Sequence, residues 1–154
     1  MPVTLVLNSY YFVEDMIPGT LQELASEPAE SPLFTGIRES GHRILITERG
    51  ARASIKREYD TEAVKRGLGP QLVVVFDQLK AQGIVINPNT PRRHISNLGG
   101  RHRIFIEDAV AAQAGYLITQ YQPWLRLNRN KQICPHVRIV DGLRFLRIAR
   151  QTGP

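Results

Sequence analysis

Residues 104–125, IFIEDAVAAQAGYLITQYQPWL, decide how the rest of the chain is read. Ala109, Val110, Ala112 and Ala114 surround Asp108 with small or apolar neighbours, so a helix here can pack closely on a sheet and hold the carboxyl group near the sheet's edge. Gly115 is the expected helix stop. Tyr116-Leu117-Ile118-Thr119 then reads as a short apolar strand, followed by an aromatic turn into Trp124 and Leu125. In an open parallel sheet a ligand sits beyond the carboxyl ends of the strands. The unit therefore places Asp108 and the residues after Thr119 on one rim.

Immediately before it lies PRRHISNLGGRHR, Pro91 to Arg103. Arg92, Arg93, Arg101, His102 and Arg103 bracket Gly99-Gly100, combining phosphate-seeking side chains with a pliant backbone. Carboxyl groups alone repel phosphate, whereas carboxylates holding a divalent metal beside arginines can bind a phosphodiester and polarise it.

Toward the N-terminus, Val3 to Leu7 is a β-branched, nearly all-apolar run, as expected of a strand buried on both faces. It ends at Asn8-Ser9-Tyr10, a second candidate site position. Pro18-Gly19 is expected to break the chain, with Thr20 capping a helix to about Ser26. Ser31-Pro32 starts another, reaching Gly41. A strand at Arg43 to Thr47 leads into a helical segment from Glu48 to about Arg66. There Ala51, Ile55, Glu58 and Glu62 form one stripe that begins apolar and ends in carboxylates, so Glu58 is expected where the stripe leaves the core. Gly67 and Gly69-Pro70 end it. Gln71 to Gln82 reads as a helix burying Leu72, Val73, Val75, Phe76 and Leu79, and Ile84 to Ile86 as a strand. After the organising stretch come Val137 to Val140, a strand, and a helix from Asp141 to Arg150.

Alternating strands and helices of this order predict an α/β fold, a three-layer sandwich with a central parallel sheet of about five strands flanked by helices. At 154 residues the chain is expected to form a single domain over residues 1–150. No apolar run reaches the length of a membrane span, and no basic leader precedes the first apolar stretch, so a cytoplasmic protein without a membrane partner is expected. The lone cysteine, Cys134, has only His136 near it at metal-ligand spacing and reads as structural. Residues 1–37 carry five acids and no Lys or Arg, so the net charge of +6 arises wholly from the remainder, which suits a polyanion or an acidic protein.

The segments EDAVAAQAGYLITQYQPWL and VRIVDGLRFL resemble the PIN-like domain family, a metal-dependent ribonuclease fold, in its acid-bearing helix, its strand and turn, and its closing strand and helix. The resemblance extends diffusely from Val3 to Arg147. It implies four acidic positions, which fall on Asn8, Glu58, Asp108 and Tyr121; two of the four are not acids here. Glu58, Asp108 and Asn8 are thus the implied catalytic set, with Glu58 and Asp108 as ligands of weakly bound Mg or Mn. The expected function is that of a degenerate relative binding RNA or an acidic protein such as an antitoxin. A homodimer is left open. Alternatives are an active Mg- or Mn-dependent endoribonuclease of toxin type and an unrelated parallel α/β small-molecule binder, the last disfavoured because NSYYF after the first strand matches no glycine-rich phosphate loop.

Overall fold

The computed structural model describes residues 2–48, 54–87, 103–127 and 136–152. Among the described residues, five strands, β1 (Thr4–Leu7), β2 (Arg43–Leu45), β3 (Val85–Ile86), β4 (Tyr116–Ile118) and β5 (Arg138–Val140), form one all-parallel sheet in the order β3-β2-β1-β4-β5. Leu5, Val6 and Leu7 are fully buried, as an apolar run with no polar alternation requires of a central strand covered on both faces. β1 registers Leu5 on Ile44 of β2 and on Tyr116 of β4. The chain builds outward from β1 in one direction through β2 and β3, then returns to build the other way through β4 and β5. The boundary between β1 and β4 is therefore the sheet's switch point, where open parallel sheets form their ligand crevice.

Flanking helices complete the α/β arrangement: α1 (Ser9–Tyr11), α2 (Ile17–Leu24), α3 (Pro32–Ser40), α4 (Ile55–Lys65), α5 (Gly69–Ala81), α6 (Ile104–Ala111), α7 (Gln122–Arg126) and α8 (Gly142–Thr152). Ser31 caps α3 by accepting from the Phe34 amide at 3.2 Å, and Asp141 caps α8 by accepting from the Arg144 amide at 2.7 Å. The Tyr11 hydroxyl also accepts the Gly142 amide at 2.9 Å, tying the start of α8 to α1, which follows β1. None of the described helices is long and apolar enough to cross a membrane.

Four local expectations are corrected. Pro18-Gly19 does not break the chain: it lies inside α2, and the Thr20 hydroxyl donates back to the Met16 carbonyl at 2.7 Å instead of capping. A wide π turn, Phe12–Met16, joins α1 to α2, with the Ile17 amide reaching the Phe12 carbonyl. That widening precedes the proline and accommodates its missing N–H and its ring, so the helix continues. Gly19 is small for packing, since a Cβ there would lie 2.5 Å from Phe34 Cγ. Nor does Gly115 stop α6. The helix ends at Ala111, Gln113 takes the left-handed turn (φ 54°), and Gly115 instead allows Val3 to approach, with a Cβ at 115 falling 3.0 Å from Val3 Cβ. Val73 is 53% exposed, because α5 buries the face of Leu72, Val75, Phe76 and Leu79. In α4 the buried stripe is Ile55, Tyr59 and Ala63, at i, i+4 and i+8, and half-buried Glu58 flanks it. The first residues of the expected Glu48–Arg66 helix, 49–53, lie outside the described residues.

Candidate functional site

Each strand end at the carboxyl edge contributes a polar group. Thr47 follows β2 and is buried; its hydroxyl donates to Asp108 Oδ2 at 2.7 Å and accepts from the Ile55 amide at 3.1 Å. Its carbonyl accepts the Lys56 amide at 2.9 Å. Ser54, the N-cap of α4, takes the Arg57 amide on its side chain at 3.1 Å and the Glu58 amide on its carbonyl at 3.1 Å. All four amides of the first turn are thereby satisfied, so the start of α4 is a sealed joint and offers no open phosphate cradle.

From that joint α4 reaches the end of β1. Tyr59, fully buried and stacked on Phe12 with ring centroids 4.3 Å apart, donates its hydroxyl to the Leu7 carbonyl at 2.6 Å. Burial pushes its phenol far above the ordinary tyrosine range, outweighing the opposite effect of that hydrogen bond, so it acts as a donor throughout the physiological range. Asp108 (4% exposed) and Glu107 (2% exposed) are both buried on α6, where the α6 backbone packs on β1 and β4. Consecutive helical residues diverge by about 100 degrees, and only Asp108 meets Thr47.

The β1–β4 boundary is built differently. Asn8 Oδ1 accepts the Tyr10 amide at 3.1 Å, and Asn8 Nδ2 donates to Thr119 Oγ1 at 3.0 Å. Thr119, fully buried, also accepts the Tyr121 amide at 3.1 Å. Asn8 is therefore both a cap for the helix after β1 and a clasp across the switch point. Tyr121 is 52% exposed and turns its ring edge-on to buried Trp124.

Of the implied catalytic set, Asn8 follows β1, Glu58 sits in the first turn of α4, and Asp108 joins the start of that helix through Thr47. Among the described residues, no group of three or more His, Cys, Asp or Glu side chains is gathered as for a metal ion. Asn8 Oδ1 is engaged by an amide and carries no charge, so the described donors are a poor fit to Mg or Mn, hard cations that favour charged oxygens. Arg92, Arg93, Arg101 and His102 lie outside the described residues, as does Cys134. Arg103 precedes α6 with its Nε 3.7 Å from Glu107 Oε1, so part of its charge is directed within the protein.

Thr47, Ser54 and Tyr59 are structural partners of the rim that the sequence reading passed over. A signal existed for Thr47: Leu-Ile-Thr occurs at 45–47 and again at 117–119, each time at the end of a strand. In comparisons with protein families, with curated proteins and with solved structures, nothing matches this chain.

Proposed function

We propose that this chain is a PIN-like module that binds single-stranded RNA at its carboxyl edge and does not hydrolyse it. The observation that carries the reading is the state of Asn8. A position at the switch point where the resembled family has an acid holds an amide, and that amide is spent on the Tyr10 amide and on Thr119. The exposed Tyr121 stands at another such position. With two of the four acids replaced, the edge lacks the charge to concentrate divalent ions beside a phosphodiester. The excess positive charge of residues 38–154 and the arginines of the 91–103 segment supply the attraction for a polyanion.

Binding and cleavage of a labelled single-stranded RNA, measured in parallel with manganese present, test this reading. Binding without cleavage is expected, with log K falling by about 0.7 per phosphate contact per log unit of salt. Arg92→Ala with Arg93→Ala should flatten that slope. Efficient cleavage that disappears in Asp108→Asn would replace the proposal with a working nuclease, and failure to bind RNA at any salt would end it.

A further inference from the structure

Helix α5 is apolar on both sides. Its inner side buries Leu72, Val75, Phe76 and Leu79, while Pro70, Val73, Val74 and Asp77 recur at i, i+3, i+4 and i+7 and are all exposed, Val73 by 53% and Val74 by 50%. Residues at that spacing lie on one stripe of a helix, so the proline and the two valines make a single surface. The surface continues onto α4. Val64, 68% exposed, has its Cγ2 3.5 Å from where a Cβ on Gly69 would stand, and Gly69 lies one turn before Val73. A helix side that faces water normally carries charged or polar residues, and branched valines there lower helix propensity without gaining packing. A helix that is apolar on both sides is one that is covered on both.

The charges around this surface bear on what covers it. Asp77 is exposed and has no ion pair among the described residues, whereas Lys80, the next charge on the stripe, lies 3.8 Å from Glu48 and over the Phe76 ring. Lys65, exposed beside Val64 in the last turn of α4, also has no ion pair among the described residues. Two copies of α5 laid antiparallel about a two-fold axis between Val73 and Val74 set Val73 against Val74 of the second copy, and Asp77 against the start of the second copy's α5. That start is the positive end of a 13-residue helix and adjoins the corner of α4 that carries Lys65, so each acid meets uncompensated positive charge, twice over by symmetry. A carboxylate in the middle of the stripe disfavours RNA and anionic lipid headgroups there. We infer that the outer side of α5, with Val64, is the two-fold interface of a homodimer, centred on Val73 and Val74 and flanked by Asp77–Lys65 pairs. The interface stands whether or not the carboxyl edge of the sheet binds RNA.

Sedimentation velocity of the full chain over a wide range of concentration tests this. Wild-type protein should associate reversibly to a dimer and no further, since a two-fold contact closes on itself. Val74→Lys should weaken the dimer by at least about tenfold. Position 74 is exposed and Lys is the better helix former, so this variant should keep the far-UV circular dichroism of the wild type. Asp77→Lys should weaken the dimer by about threefold or more, and Lys65→Glu added to Asp77→Lys should restore it, which a contact elsewhere on the molecule would not do. Wild-type protein that stays monomeric at every concentration would overturn the homodimer, as would a dimer that Val74→Lys leaves intact. Cosedimentation of a monomer with anionic lipid vesicles, lost in Val74→Lys, would assign the same face to a membrane surface instead.

Discussion

Leu-Ile-Thr ends two strands of this sheet, and the two threonines do opposite things. Thr47 gives its proton to the Asp108 carboxyl group and takes an amide from α4; Thr119 takes an amide proton from Asn8 and a second from Tyr121. A hydroxyl has one donor and two acceptor sites, so the same side chain serves a carboxyl group at one place and an amide at the other without moving. The edge is therefore divided by its hydrogen bonds into an acidic half, where Asp108 meets the end of β2, and a neutral half, where Asn8 clasps β1 to β4. The frame that would accept a carboxylate is present in both halves, and only one half has it.

The largest expected effect separates the halves by stability. Thr47→Val removes the hydroxyl that serves both the buried Asp108 carboxyl group and the Ile55 amide and should cost about 3 kcal/mol. Thr119→Val should cost about 1–2 kcal/mol, because the groups released are neutral and Asn8 is only half-buried. Equal losses in urea denaturation would break the distinction.

Asn8→Asp sharpens it. The introduced carboxylate can still accept the Tyr10 amide, and Thr119 can turn its proton toward it while keeping the Tyr121 amide, which reproduces the pattern at Thr47. Stability at neutral pH should change by less than about 1 kcal/mol. A much larger loss would mean that Nδ2 of Asn8 is indispensable and that the two halves are not equivalent frames.

The smallest effects lie away from the rim and give its background pH dependence. Burial raises the Asp15 pKa, against the smaller opposing effect of the Ser31 hydroxyl that donates to it at 3.1 Å. The folded state then holds the proton more tightly than the unfolded chain, so this group's contribution falls as pH rises from the ordinary carboxylate range through the folded value. Asp15→Asn should therefore gain stability relative to wild type at neutral pH and lose that advantage in acid. His42 has the opposite sense. Burial, aided by the N-terminal charge, lowers its pKa, and its Nδ1 accepts the Val3 amide at 3.0 Å. Its contribution is present above the unfolded value of about 6.5 and declines as pH falls through the folded value. In His42→Asn, whose Oδ1 can take the Val3 amide, the decline between neutral and mildly acidic pH should shrink. Denaturation midpoints across pH measure both.

How far the sequence was legible follows from how local each determinant is. Strands such as Val3 to Leu7 could be read because burial on both faces demands an unbroken apolar run, and the helix starts at Ser31-Pro32 and Asp141 could be read because a helix's first turn is set by its own local residues. Pro18-Gly19 was misread because its effect depends on the π turn before it, and Gly115 because its smallness serves Val3, distant in sequence. Glu58 was assigned to the wrong stripe because Ile55, Tyr59 and Ala63 define the buried line only once Tyr59 meets Leu7 and Phe12. Asn8 and Asp108 could be singled out by position, yet their difference in partners could not. It depends on where α4, α6 and β4 meet the strand ends.

On the proposed reading, the switch-point half is too poor in charge to hold a divalent ion. Manganese titration of wild-type protein, Asn8→Asp and Asn8→Asp with Tyr121→Asp, followed by calorimetry, tests it directly. Weak wild-type binding is expected, with affinity rising by about tenfold or more as carboxylates are added at positions 8 and 121, equivalent to about 1.4 kcal/mol per tenfold step. Tight binding by the wild-type protein, or folded variants that bind no better, would contradict the division of the rim.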